Sequence, residues 1–223
     1  MDELVHNFFN WQVLATTYPL LLKGLWMTVR LCVVVIPLGM GAGIFIAVMY
    51  SFHFRLLNVL LIIYVDFFRA FPPLVLLIMI FSGLPFLGLD ISPFAAVCLA
   101  FMLNTSSYYG EITRAGIESI STGQWQAGRS TGLNSLQTMM FVILPQAIRN
   151  VAPDLISNTI TVTQLTSIAS VVALPELLRS ARIAQGLTYN PTPIIAAAAT
   201  YFVLLVPLVW LLGRFERQMI ASR

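Results

Sequence analysis

Charge is what this chain has least of: of its 223 residues, 9% are Asp, Glu, Lys or Arg, while 58% are apolar. Ordinary globular domains carry about 25% and about 45–50%. So few charges cannot cover a water-exposed particle of this size, whereas a bilayer needs no such cover, so a soluble enzyme and a disordered chain are both excluded. Lysine is nearly missing, Lys23 standing alone beside eleven Arg. The formal net charge of +3 is too small and too dispersed for a nucleic-acid patch, so no nucleic acid is expected as a partner. Cysteine is limited to Cys32 and Cys98, both inside apolar runs, which excludes a disulfide framework and leaves two packing thiols. No Gly-x-x-x-x-Gly-Lys-Ser/Thr loop is present, so the chain cannot hydrolyse ATP by that chemistry. His6 and His53 have no metal-spaced partners and no nucleophile, base and orienter come together, so no catalytic residue, metal or cofactor is expected.

What is there is a set of long uncharged runs. Leu31–Phe52, Ala70–Leu89, Ile91–Gly110, Leu155–Pro175 and the later part of Ile183–Gly213 each reach about the 20 residues that a crossing helix needs. An all-α polytopic membrane protein of about five spans is expected, with residues 1–223 forming one transmembrane domain. Gly83, Pro85 and Gly88 end the second run early, so its helix could begin nearer Leu57 and take in Asp66 and Arg69. The segment Met1–His6 lacks the basic start of a cleaved signal, and Phe8, Phe9, Trp11, Val13 and Leu14 follow it; the whole reads as an uncleaved segment on the membrane surface. Five spans put the termini on opposite sides. Arg55, Arg69, Arg114, Arg129, Arg149, Arg214, Arg217 and Arg223 then fall on one side, and Lys23, Arg30, Arg179 and Arg182 on the other. The excess of positive charge predicts an external amino terminus and a cytoplasmic carboxyl terminus.

This topology leaves one large piece of chain outside the lipid, the cytoplasmic segment from Glu111 to Asp154. Gly123 is followed by a polar helical stretch and then Gly132, which can take the left-handed conformation that ends a helix. Asn134-Ser-Leu-Gln137 can form a capping box for a second, more apolar helix that stops at Pro145. A small pair of helices joined at a glycine suits docking in a partner's groove; an ordinary loop lying on the membrane surface is the alternative.

The run Gly123-Gln-Trp-Gln-Ala-Gly-Arg-Ser-Thr-Gly132-Leu133, continuing to Val142-Ile-Leu-Pro145, resembles the cytoplasmic loop of the permease subunits of bacterial ATP-binding cassette importers. That loop reads Glu-Ala-Ala, three residues, Gly, nine residues, Ile, one residue, Leu-Pro. From Gln126 the spacing holds throughout, with three departures: Gln126 for the acidic residue, Gly128 for the second alanine and Val142 for isoleucine. Tyr108–Ile120, Phe68-Arg-Ala-Phe-Pro-Pro-Leu-Val75 and Gly24-Leu-Trp-Met-Thr28 are similar to the polar amino acid branch, the histidine and glutamine permeases. The resemblance implies a type I importer fold in the bacterial cytoplasmic (inner) membrane. It implies docking of a cytoplasmic ATP-binding subunit, which would use the ATP, at Gln126, Ala127, Gly128, Gly132, Leu133, Leu144 and Pro145, within the loop 126–145. A second permease subunit, identical or homologous, and a periplasmic or external substrate-binding protein complete the implied assembly, with an amino acid as cargo. The rival is a self-sufficient secondary transporter or channel, for which Asp66 is the one acidic candidate at membrane depth.

Two further groups stand out. The fourth run packs hydroxyls and amides into a short stretch, with Ser157, Thr161 and Gln164 on one helical face and Asn158 beside them. Thr166-Ser167-Ile168 resembles a Thr-Ser-Leu-like signature of the same branch. Amides at membrane depth are costly unless they meet protein or water, so Ser157, Asn158, Thr161, Gln164, Thr166 and Ser167 mark a solute path or, alternatively, hydrogen-bond glue between helices. The stripe holds no carboxylate, which favours a neutral or zwitterionic solute. Glu111 and Arg114 sit three apart, as do Asp66 and Arg69, so each can pair on one helical face. With Phe68 and the bend at Pro72, Arg69, Glu111 and Arg114 are read as structural support for the docking segment; a simple boundary ion pair is the alternative.

Overall fold

The computed structural model describes residues 8–221, and no strand occurs among them. The expected surface segment Met1–His6 and Arg223 lie outside the described residues. Helices α1 (Trp11–Tyr50), α2 (Arg55–Ala70), α3 (Pro73–Gly83), α4 (Pro93–Glu118), α5 (Thr122–Ser130), α6 (Ser135–Thr138), α7 (Leu144–Asn150), α8 (Ala152–Leu165), α9 (Leu177–Thr188) and α10 (Thr192–Ala221) follow in order. Tighter 3-10 turns continue α3 over Leu84–Leu87 and α8 over Thr166–Val172, and a π turn, Met139–Ile143, joins α6 to α7.

Helix α1 corrects the first span. It runs unbroken for 40 residues, which at about 1.5 Å per residue is about 60 Å, twice the hydrocarbon thickness. The apolar segment around Trp11 and Leu14 is thus the start of this helix and not a separate surface piece. Lys23 and Arg30 interrupt the apolar run but not the helix, because both lie on its exposed side. Its buried side is a continuous stripe at spacings of three and four: Thr17, Leu21, Gly24, Thr28, Leu31, Val35, Gly39, Gly43 and Ala47. At its start the Asn10 carboxamide oxygen accepts from the N–H groups of Gln12 at 3.0 Å and Val13 at 3.2 Å, which caps the helix.

The second run is also corrected: it is not one helix. Phe71 is extended, with φ −83° and ψ 125°, the conformation that a following proline imposes, so Pro72 ends α2 and α3 starts afresh at Pro73. The helix begins at Arg55, well before Ala70. By length and composition α1, α8 with its 3-10 extension, and α10 to Arg217 can each cross a membrane, and α2 with α3 adds a fourth if the pair counts as one span. Helix α4, the expected third span, has 26 residues, enough to cross. Its polar run Asn104-Thr-Ser-Ser107 lowers its apolar content, and all four of those residues are buried in the protein.

The chain forms two compact units. One gathers the chain up to Val35, Pro73–Ala100 and Ile160–Trp210; the other gathers Ile36–Pro72, Phe101–Thr159 and the chain from Leu211. In the first, Leu21 of α1, Leu177 and Ala181 of α9 and Ala197 of α10 form a core onto which Ile194 and Tyr201 pack. Backbones come close here: a Cβ at Gly24 would stand 2.9 Å from Leu177 Cα. In the second, Ala47 and Val48 from the end of α1, Ile117 from the end of α4, and Met139, Ile143 and Ala147 share one core.

Candidate functional site

The segment after α4 folds as the sequence implies at its joint. Helix α5 ends at Ser130 with Thr131 as its C-cap, and Gly132 takes φ +89°. A Cβ there would meet nothing within 4 Å, so glycine is needed for the backbone alone. Asn134 Oδ1 then accepts from Gln137 N at 2.8 Å while Gln137 Oε1 accepts from Asn134 N at 2.9 Å, a complete capping box. Arg129 Nη1 donates to the Ser135 hydroxyl at 2.8 Å across the turn.

Beyond the cap the expectation that the helix stops at Pro145 is corrected: it continues to Asn150. Proline within a helix lacks an N–H and crowds the carbonyl four residues back. The π turn removes the conflict by widening the preceding turn, with Leu144 N bonded to Met139 O. Of the residues expected to dock a partner, Gln126, Ala127, Gly132 and Pro145 are exposed, Leu133 and Leu144 are half-buried, and Gly128 is buried. Gly128 seats α5 on α6, since a Cβ there would stand 2.6 Å from Thr138 Cγ2. The alanine of the loop pattern would need the Thr138 side chain to shift.

The supporting charges meet, with one partner exchanged. Arg114 grips Glu111 with two hydrogen bonds, Nε to Oε2 at 3.0 Å and Nη2 to Oε1 at 2.7 Å, and reaches Glu118 at 2.6 Å. Arg69 lies 3.7 Å from Glu111 and not on Asp66, tying α2 to α4. Asn104 Nδ2 donates to Phe68 O at 2.8 Å, which adds a second tie between the same helices just before the Pro72 break. The Arg114 guanidinium holds the Glu111 carboxyl below the usual glutamate range, against desolvation. A cavity of about 250 Å³ opens beside this cluster, lined by Tyr50, Leu61, Val65, Asp66, Glu111 and Arg114.

The polar stripe lies as its spacing implies. Ser157, Thr161 and Gln164 are exposed on α8, Asn158 and Ser167 are half-buried, and Thr166 is buried with its hydroxyl bonded to Thr163 O at 2.7 Å. The Asn158 Nδ2 is buried without a hydrogen-bond partner. Gln164 and Ser167 line a second cavity, of about 390 Å³, with Leu178, Ile194, Ala197 and Tyr201.

One residue here escaped the sequence reading. Glu176 is fully buried. Its carboxylate caps α9, accepting from Arg179 N at 2.6 Å and Leu178 N at 2.8 Å, and it accepts from the Tyr201 hydroxyl at 3.0 Å. Burial pushes its carboxyl up, opposed by those donors and by the charge of Arg182. The available signal was a carboxylate, Glu176, directly ahead of the amphipathic run Leu177–Thr188, where negative charge is favourable at a helix start.

Together these features define a helical membrane permease with a glycine-jointed, capped element outside its apolar runs. The family described as binding-protein-dependent transport system inner membrane component matches residues 39–221, and the chain belongs to that family. It is 33% identical over 197 residues to the probable amino-acid ABC transporter permease protein YckA of Bacillus subtilis (strain 168), covering 88% of this chain and 87% of that one. Identity to the arginine transport system permease protein ArtQ of the same organism is 34% over 203 residues, covering 90% and 93%. A chain from a crystal structure of an amino acid ABC transporter with histidines superposes with TM-score 0.83 at 36% identity, covering 94% of this chain and 98% of that one.

Proposed function

We propose that this chain is the permease subunit of an ATP-driven importer of polar amino acids. It forms the pore with a second permease subunit, takes its energy from an ATP-binding subunit docked on the element from α5 to α7, and receives solute from an external binding protein. The observation that carries this reading is the element itself. It is a left-handed glycine joint and a closed capping box, packed into the same core as the ends of α1 and α4. Family membership favours this over a self-sufficient secondary transporter. The proposed setting is the bacterial inner membrane, with the amino terminus outside and the carboxyl terminus in the cytoplasm, on the positive-charge asymmetry.

The solute path is assigned to the exposed face of α8 and the cavity at Gln164 and Ser167. Its hydroxyls and amides suit a neutral or zwitterionic amino acid, because a cationic side chain would leave water there without an opposite charge. One relative is named for arginine transport, so arginine is the informative competitor. The test is uptake of labelled glutamine into vesicles holding this chain, its ATP-binding subunit and its binding protein. Uptake should require ATP and all three components, and excess arginine should compete weakly. Uptake by this chain alone, driven by a proton or sodium gradient, would reject the assignment.

A further inference from the structure

The 3-10 stretch Thr166–Val172 has seven residues. Such runs rarely exceed three or four, because their hydrogen bonds are poorer than those of an α-helix, so a longer one needs outside support and can mark a functional hinge. Its supports come from α9 and α10. Arg179 Nη1 donates to Ser170 O at 3.1 Å. The Tyr201 hydroxyl lies within hydrogen-bonding reach of the Thr28 and Thr166 side chains and donates to Glu176 at 3.0 Å. Next to that carboxylate, Leu177 N donates to Thr28 Oγ1 at 3.1 Å, so α1 is held at the same knot.

A fully buried carboxylate is rare unless paired and hydrogen-bonded. Capping α9 alone would not require burial, since an exposed cap serves as well. What burial adds is reach: one anion fixes the start of α9, from which Arg179 holds Ser170 O inside the 3-10 stretch, and it holds the Tyr201 hydroxyl beside Thr166, the first residue of that stretch. Gln164 and Ser167 flank Thr166 and line the 390 Å³ cavity together with Tyr201. Gln164 lies in the last turn of α8 and Ser167 in the 3-10 stretch, so the change from about 3.6 to about 3.0 residues per turn between them sets the angle between the two side chains.

We propose that Glu176, acting through Tyr201 and the start of α9, is a positioning residue that sets the α-to-3-10 junction and so places Gln164 and Ser167 in the solute path. The inference rests on the reading of that cavity as part of the path. Glu176 does not touch solute; it orders the residues that do.

The test is equilibrium binding of radiolabelled glutamine and arginine to the permease and ATP-binding subunits in nanodiscs, without the binding protein. Losing a hydrogen bond to a charged group here should weaken binding about tenfold in Glu176→Gln and in Tyr201→Phe. Glu176→Asp, which keeps the carboxylate, should restore most of the affinity. A merely structural role would lower the yield of assembled complex but leave the dissociation constant of what assembles unchanged. If Glu176→Gln does not assemble, Tyr201→Phe decides, since it removes one hydroxyl and keeps the ring. Wild-type affinity in these variants, with weakened binding in Gln164→Leu, overturns the positioning role and leaves the path reading standing. Wild-type affinity in Gln164→Leu as well, or no binding of either amino acid by the unaltered complex, rejects the path and this inference with it.

Discussion

Replacing Gly132 with valine separates the backbone of the docking element from everything it touches. The residue stands at φ +89° with no atom within 4 Å of where its Cβ would be, so the substitution creates no clash with neighbours. What it costs is conformational: about 1–2 kcal/mol for an L-residue held left-handed, and more for a β-branched one. The opposing interactions are local, a capping box whose Asn134 contributes about 1 kcal/mol and the bond from Gly132 N to Arg129 O at 3.1 Å. A penalty near 2 kcal/mol shifts the turn population about thirtyfold, enough to unseat a joint held by contributions of the same size. Gly132→Asn is the control, because asparagine tolerates the left-handed region. In reconstituted vesicles, stimulation of ATP hydrolysis by the loaded binding protein should fall about tenfold or more in Gly132→Val and stay near normal in Gly132→Asn. Membrane insertion should be unchanged in both. Normal stimulation and uptake in the valine variant would refute the claim that this turn transmits anything.

Gly128→Val should weaken coupling for the opposite reason, overpacking against Thr138 at about 1–3 kcal/mol, and Gly128→Val with Thr138→Ser should recover part of it; a single variant with normal thermal stability would contradict the packing. Cysteines at Ser135 and Tyr189, in a background without Cys32 and Cys98, should react with an impermeant thiol reagent only from the cytoplasmic side and only from outside, respectively, and labelling of Ser135→Cys in intact cells would reverse the topology. The Glu111 carboxyl is held low by Arg114, so its pairing contributes above the ordinary glutamate value of about 4.3 and is lost as pH falls through the lower folded value. The melting temperature of the wild type should exceed that of Glu111→Gln at pH 7 by an amount worth about 1 kcal/mol at most, given partial exposure, and the gap should narrow as pH falls below the ordinary glutamate value; a gap independent of pH would exclude the ion pair as its cause.

The joint was legible in the sequence because each of its interactions spans three or four residues: Asn134 with Gln137, and Gly132 with the helix it ends. The break at Pro72 was legible from the Pro72-Pro73 pair itself, since a proline holds the residue before it extended. Helix α1 was not, because Lys23 and Arg30 divide an apolar run, and only the packing reveals that both sit opposite a buried stripe that never breaks. Arg69 shows the limit of local spacing. Asp66 is three residues away, yet Glu111 on another helix takes the guanidinium, and no period in the sequence encodes that competition. The burial of Glu176 was not legible, since the donors that make it tolerable include Tyr201, far along the chain.

How a push on the docking element could reach the spans follows from what lies between them. Gly128 and Thr138 lock α5 onto α6, and Trp125, Val142 and Leu144 pack against the core that holds Ala47 and Val48 of α1 and Ile117 of α4. A Cβ at Gly116 would stand 2.9 Å from Ala147 O, so α4 and α7 meet almost backbone to backbone. Interiors packed this closely do not deform continuously; they move as a piece or change to another packing. Flexible side chains would absorb a displacement, whereas close backbone contact passes it on. The exposed residues Gln126, Ala127, Gly132 and Pro145, with Leu136 and Phe141 beside them, form the outer face of the same body. The Arg114 ties to Glu111 and Glu118 and the Arg69 tie to Glu111 then extend that body from the end of α4 to α2. On the proposed docking, force applied to the element would be delivered to the ends of α1 and α4 at once, which is the mechanical requirement for coupling ATP hydrolysis in one subunit to opening in another.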